Sequence, residues 1–253
     1  MASKTSLQEL YSYCQQLLEP HLFDDFCPNG LQVEGKAEVR RLAVAVSASL
    51  YTIQEAVAAG ADLLLVHHGL FWNRQSPLLV GSFKKKVELL LASNLSLLAY
   101  HLPLDGHRNY GNNWGAAKEM GWQQLAPFPP KEKRPIGVMG SFAPRPRELL
   151  AQELSDYYGH PVEVVFGGKS EVSSAALISG GAHRSIGEAA GLVDCFLTGS
   201  RDEPTWHEAK ELQLNFFALG HSASEVAGPR LLATHLAERY GLDYQFISEA
   251  NPF

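Results

Sequence analysis

The apolar positions of this chain switch between two rhythms. Over 6–18 they recur at helical spacing (Leu7, Leu10, Tyr11, Leu17, Leu18), which predicts a first helix ended by Pro20. Pro28-Asn29-Gly30-Leu31 carries a turn signal. The run RLAVAVS at 41–47 predicts a buried strand, and Ser49 or Thr52 can cap a following helix that stops at Gly60. DLLLV at 62–66 is continuously apolar, the pattern of a strand buried on both faces of a parallel sheet. A helix over 82–93, a strand over 95–100 and a short helix over 113–120 closed by Gly121 follow.

Residues 126–135, APFPPKEKRP, are rich in proline and charge and mark the expected lobe boundary. Beyond them the pattern predicts strands at 136–141, 162–166, 175–179, 195–198 and 216–219. Helices are expected over 146–158, 185–191 and 222–240, the last kinked or interrupted at Gly228-Pro229. This alternation implies an α/β fold of two lobes, 1–126 and 127–253, with mixed or parallel sheets and segments free to interlock. Both halves share the same rhythm, which raises an internal duplication.

Three apolar strands run directly into metal-ligand residue types. LLLVHHG supplies His67 and His68, LLAYHLPLD supplies His101 and Asp105, and FALGHSASE supplies His221 and Glu225. Sites in open α/β sheets gather beyond the carboxyl ends of strands, so the three stretches are expected to converge between the lobes. Imidazole with carboxylate suits zinc, manganese or iron, whereas an all-oxygen set suits magnesium or calcium. So many donors exceed what one ion needs, and a carboxylate-bridged pair of ions would use them all. His221 and Glu225, at i and i+4, share a face if a helix begins near His221.

A lone histidine at a strand end is more often a surface or hydrogen-bonded residue than a ligand. Three strand-end clusters of the same residue types outweigh that reading. Phe71 and Trp72 could stack on an aromatic ligand, but core is the favoured role. Lys84, Lys85 and Lys86 read as a solvated face more than a phosphate site. His21, His160, His183 and His235 show no partner pattern and are taken as structural or surface. His207, on an expected helix, is evenly balanced between surface and site. Asn29, Gly30 and Asn112 read as turn residues first and substrate contacts second.

Composition narrows the function classes. Of the 253 residues 45% are hydrophobic and 19% charged, which argues against disorder. The net charge of −6 lacks the basic footprint of a duplex-binding protein, although a small phosphorylated substrate stays open. Cys14, Cys27 and Cys195 are odd in number and widely spaced, so a reducing cytoplasm is expected rather than a disulfide framework. The polar first residues do not resemble a signal peptide, and no apolar run is long enough to span a bilayer.

DFCPNGLQVEG at 25–35, LLVHHGLFW at 64–72, YHLPLDGH at 100–107, FLTGS at 196–200 and ALGHSASE at 218–225 resemble, in order and over essentially the whole chain, one family. It is that of the dinuclear-metal-centre hexameric proteins known as GTP cyclohydrolase I type 2 homologues, the NGG-interacting-factor-like family, in its short bacterial form. The resemblance implies two divalent ions per chain: His68 and Asp105 on one, His67 and His221 on the other, and Glu225 bridging. It places His101 in the pocket as an orienting or acid/base residue. It further implies a toroidal homohexamer with metal sites facing an interior cavity. Ser200 stands where many relatives carry glutamate, and His207 matches a histidine often present there. The activity implied is metal-dependent hydrolysis, cyclohydrolase-like, of a nucleotide or related heterocycle. The alternatives are a phosphoesterase or nuclease-like enzyme using the same metal pair, and a non-enzymatic metal-binding scaffold or regulatory protein.

Overall fold

The computed structural model describes residues 4–253. In chain order the strands are β1 (Thr5–Ser6), β2 (Gly30–Val33), β3 (Glu38–Val39), β4 (Arg41–Ser47), β5 (Leu63–His68), β6 (Ser96–Ala99), β7 (Gln123–Phe128), β8 (Gly137–Pro146), β9 (Glu163–Phe166), β10 (Glu171–Ile178), β11 (Cys195–Thr198), β12 (Asn215–Ala218) and β13 (Asp243–Phe246). They fall in two compact units. One comprises residues up to Leu104 together with Gly228–Ala250; the other comprises Asp105–Ala227 with Asn251–Phe253.

The first unit carries a sheet of order β13-β4-β5-β6-β2. β13, β4, β5 and β6 are parallel, and β2 closes one edge antiparallel to β6. Helices on the sheet explain the uninterrupted apolar runs: Leu63, Leu64, Leu65 and Val66 are all fully buried, because both faces of β5 are covered. Ile53 and Ala56 of the helix Leu50–Ala58, and Leu90 of the helix Gly81–Ala92, pack with Leu64, Val66 and Leu97. Each such leucine or isoleucine stabilises by about 1.5–3 kcal/mol relative to exposure. The helix Leu50–Ala58 starts on a reciprocal cap: Thr52 N–H donates to Ser49 Oγ, and Ser49 N–H donates to Thr52 Oγ1.

The second unit has a sheet of order β7-β8-β10-β11-β12-β9, in which β10, β11 and β12 are parallel and the other pairings antiparallel. Its core is more aromatic, with Phe128, Phe196 and Phe216 packed against Ile178, Ile186 and Ala209. The fold is mixed α/β, as the alternating pattern implies. Among the described residues no helix is long and apolar enough to cross a membrane. Cys14, Cys27 and Cys195 are buried free thiols.

Several boundaries differ from those the sequence pattern predicts. The chain divides at 104/105 and 227/228, which places Asp105 in the second unit. The stretch 126–135 lies inside that unit: residues 126–128 end β7 and the rest leads to its antiparallel neighbour β8, so proline and charge there mark a turn between strands. Gly30 and Leu31 open β2 rather than a turn, because pairing with Ala99 and Leu98 captures them. β7 and β13 are strands the pattern does not predict, since neither carries a continuous apolar run. The last helical stretch breaks at Glu225-Val226, ahead of the expected kink. Gly228 and Pro229 lie in the first turn of the helix Ala227–Tyr240, where a missing N–H costs no intrahelical bond.

Candidate metal centre

In the first unit the donors stand at the carboxyl ends of β5 and β6. The ladder sets Ser47 opposite His68, and Ser47 Oγ lies 3.0 Å from His68 Nδ1. His67 is fully buried, and its Nδ1 donates to the Tyr100 carbonyl at 2.9 Å. A carbonyl can only accept, so a proton sits on Nδ1, and when the ring is neutral its lone pair lies on Nε2. His101 follows β6. Its ring Nδ1 lies 2.7 Å from Asp25 Oδ1, and its backbone N–H donates to Asn29 Oδ1 at 2.7 Å. Ligand nitrogens of His67, His68 and His101 all lie within 4.8 Å of one another. The turn that follows is close-packed: Gly69 abuts Gln32, where an added Cβ would come within 2.3 Å of Oε1.

Aromatic rings flank this group. The Trp72 ring stands 5.3 Å from His101 and 5.7 Å from His68, with its indole N–H donating to Gly69 O. Phe26, largely exposed, lies 6.4 Å from His101. The core role favoured for Phe71 and Trp72 is therefore corrected. Phe71 is exposed and meets Phe83 edge-on, while the half-buried Trp72 packs on the histidines, because the chain turns outward after His68.

In the second unit the polar groups stand beyond three adjacent parallel strands. Ser179-Gly180 follows β10, Gly199-Ser200 follows β11, and Gly220-His221 follows β12. His221 Nε2 lies 3.3 Å from Oε1 of the buried Glu225, and His221 Nδ1 lies 3.0 Å from Ser200 Oγ. The i,i+4 spacing works through one helical turn, His221–Ser224, with Glu225 at its C-terminal end. Gly180, at φ +69°, makes room for this pair: a Cβ there would fall 2.3 Å from Glu225 Oε1 and 3.3 Å from His221 Nε2. Asp105, also buried, accepts at Oδ1 from Asn112 Nδ2 at 2.8 Å and from Ser179 Oγ at 2.9 Å.

The donor types are those of a divalent transition-metal site: three close imidazoles in the first unit, and in the second an imidazole paired with the buried Glu225, together with the buried Asp105. Asp25, Cys27 and His101 form a further group of ligand-type side chains. Burial pushes the Cys27 thiol up to about 12, so it adds a protonated sulfur to that group. His207 is exposed and pairs with Glu203 at 3.4 Å rather than with His221 or Glu225. His183 pairs with Asp202, and His160 and His235 serve local hydrogen bonds. Lys84 and Lys85 are exposed, while Lys86 donates to Ala48 O. Asn112 supports Asp105 and Asn29 supports His101, both more than turn residues.

Sequence reasoning missed Asp25, Ser47 and Ser179, and the part played by Ser200. Ser47 was signalled only as the last residue of a strand, at the same sheet end as the histidines. Asp25 sits four residues before Asn29, and Asn29 Nδ2 donates to its Oδ2 at 2.8 Å; that local pattern was the available clue.

Comparisons with known proteins place the chain in a family. A family model described as Duf34/NIF3 (NGG1p interacting factor 3) matches residues 5–252. A Chlamydia pneumoniae protein named GTP cyclohydrolase 1 type 2 homolog is 46% identical over 251 residues, covering 98% of this chain and all of its own. An Escherichia coli K12 protein of the same name is 37% identical, covering 96% of this chain and 98% of its own. A solved structure described as protein ybgI, of unknown function, superposes with a TM-score of 0.93 at 36% identity, over 98% of this chain and all of the other. The fold and strand-end donors define an α/β protein with clustered metal-ligand residues. The chain belongs to the Duf34/NIF3 family.

Proposed function

We propose that this chain is a metal-dependent hydrolase whose centre uses His67, His68, Asp105, His221 and Glu225 to hold two divalent ions of zinc, manganese or iron. The observation that supports it most is the convergence of three imidazoles, His67, His68 and His101, within 4.8 Å. His67 and His68 each have their Nδ1 engaged by a neighbour, as ligating histidines usually do, and His101 Nδ1 faces Asp25, which leaves its Nε2 for proton transfer. Asp105, held by Asn112 and Ser179, and Glu225, beside His221, supply the carboxylates. The grouping of both sets on one ion pair rests on the family resemblance.

Ions held there would supply Lewis acidity towards water and towards a carbonyl or phosphoryl oxygen. His101 Nε2 accepts the proton that the attacking water gives up and returns it to the leaving group. Trp72 and Phe26, beside His101, favour a planar substrate. The names of the relatives point the same way, to a nucleotide or related heterocycle. The cytoplasmic setting and the homohexameric toroid belong to the same reading; light scattering on the purified chain should give six copies.

Elemental analysis of the wild type against Glu225→Ala tests the centre. Close to two ions per chain are expected in the wild type, with a sharp fall in the variant. Failure to bind zinc, manganese or iron(II) on reconstitution would sink the proposal. Formate release from a purine nucleotide would support ring opening, whereas inorganic phosphate or a nucleoside monophosphate would support phosphoester cleavage. A loaded protein that turns over neither class would be a scaffold.

A further inference from the structure

We infer that Asp25 is a positioning residue for His101: its carboxylate fixes the tautomer and orientation of that ring, so that Nε2 enters the centre as an acceptor. The inference rests on the reading above only in taking His101 as a member of the centre.

The Asp25 side chain is 3% exposed and that of His101 13%. Asp25 Oδ1 lies 2.7 Å from His101 Nδ1 and accepts from the Phe26 N–H at 2.6 Å, with the Cys27 thiol at 3.9 Å. Oδ2 accepts from Asn29 Nδ2 at 2.8 Å and from the Leu102 N–H at 3.0 Å. A carboxylate ringed by that many donors is held ionised and cannot rotate away without losing several charge-assisted hydrogen bonds. Facing an acceptor, His101 Nδ1 must donate, and the lone pair of the neutral ring is then confined to Nε2.

The backbone is clamped to match. His101 N–H donates to Asn29 Oδ1, Leu102 N–H to Asp25, and Asn73 N–H to Phe26 O at 2.8 Å. The turn 25–29, the segment after His68 and the segment after β6 are thus tied together around one carboxylate. The Trp72 ring, at 81° to the imidazole, limits the other direction of ring motion. The same geometry argues against a separate metal site at Asp25, Cys27 and His101. Oδ1 and Nδ1 already engage each other at 2.7 Å, and burial pushes the Cys27 thiol up.

Nitrogen-15 NMR of the histidine rings tests this on the full chain, stripped of metal and held at mildly alkaline pH, with His101→Gln identifying the His101 signals. The wild type is expected to show His101 with the proton on Nδ1. Asp25→Ala should lose that signature and populate the Nε2–H form, while Asp25→Asn, which keeps a carbonyl acceptor, should retain most of it. A wild-type ring protonated on Nε2 would overturn the inference, and so would unchanged His101 signals in a folded Asp25→Ala. If the alanine variant does not fold, the wild-type tautomer and the asparagine variant still decide. The readout needs no metal, so a chain that binds none would sink the metal centre and leave this assignment standing.

Discussion

The two units repeat one plan and use it differently. In the first, parallel strands β4, β5 and β6 carry an antiparallel β2 at their edge; in the second, β10, β11 and β12 carry β9 in the same place. The registers match, with Leu63 on Ser96 and Val66 on Ala99 in one, Cys195 on Asn215 and Thr198 on Ala218 in the other. An aspartate precedes each middle strand. Asp62 accepts from the Arg40 and Arg41 N–H groups and pairs with Lys36; Asp194 accepts from the Ser173 N–H and pairs with Lys169. Gly35 N–H donates to Ser96 Oγ and Gly168 N–H to Asn215 Oδ1. A Cβ on either glycine would strike a backbone carbonyl, Asn94 O at 2.5 Å or Gln213 O at 2.7 Å. Asn94 and Gln213 themselves share a left-handed backbone, φ 51° and 52°. The two sheets thus agree in parts remote from the strand ends, where the same backbone arrangement is held by the same kinds of contact.

The strand ends themselves diverge. His67 and His68 finish β5, while Gly199 and Ser200 follow β11; three imidazoles gather in the first unit, whereas the second sets one, His221, beside the buried Glu225. Residues that set sheet register and close turns are alike because the same backbone demands them. Residues past the strand ends are free of that demand, and there the chemistry differs.

The core gives the largest test of the comparison. Leu64 pairs with Leu97 in the ladder of the first unit, and Phe196 with Phe216 in the second, all buried. Equivalent positions with unequal volume should give unequal losses. Phe216→Ala is expected to cost about 3–5 kcal/mol and Leu97→Ala about 2–5 kcal/mol, read by urea denaturation. A cost below about 1 kcal/mol at either site would show that the position does not anchor its sheet, and the equivalence would fail.

The paired aspartates sharpen the comparison through pH. Burial pushes the carboxyls of Asp62 and Asp194 up, but the lysine beside each and the N–H and hydroxyl donors more than offset it, leaving both below 3.8. A carboxyl depressed on folding contributes stability that is present above its unfolded value and lost as pH falls through its folded value. Stability should therefore decline below about pH 4, and Asp62→Asn and Asp194→Asn should each flatten that decline. At neutral pH each variant is expected to lose about 1–3 kcal/mol by removing an ionised acceptor from its donors. Thermal unfolding from neutral pH into acid would measure both; a silent asparagine at one site and a costly one at the other would separate the two units.

Much of this was legible in the sequence, for reasons that lie in burial. Strands such as 41–47 and 195–198 announce themselves because burial on both faces forces a continuous apolar run. The histidine and carboxylate clusters were visible because they follow those runs directly. β7 and β13 were not, since strands with most positions exposed or half-buried lack the continuous apolar run that burial on both faces forces. The unit boundary was hidden as well, because it depends on the chain returning to its first sheet at β13. Asp25 was beyond reach in a different way: its partner His101 is 76 residues distant, and only folding brings them together.

The start of a helix offers the smallest test. Both units send a helix from the end of one parallel strand to the start of the next. In the first, Leu50–Ala58 begins on the Ser49–Thr52 cap, whose Thr52 Oγ1 also donates to Ser47 O at 2.7 Å. In the second, Pro204–Glu211 opens with proline in its first turn and has no side-chain cap at Glu203. Proline needs no partner for its missing N–H, so the second helix meets by backbone preset what the first meets by hydrogen bond. Ser49→Ala should therefore cost about 1 kcal/mol, whereas Glu203→Ala should change stability by under about 0.5 kcal/mol. Equal losses in urea denaturation would mean that Glu203 performs a capping role the geometry does not give it, and the contrast between the two helix N-termini would disappear.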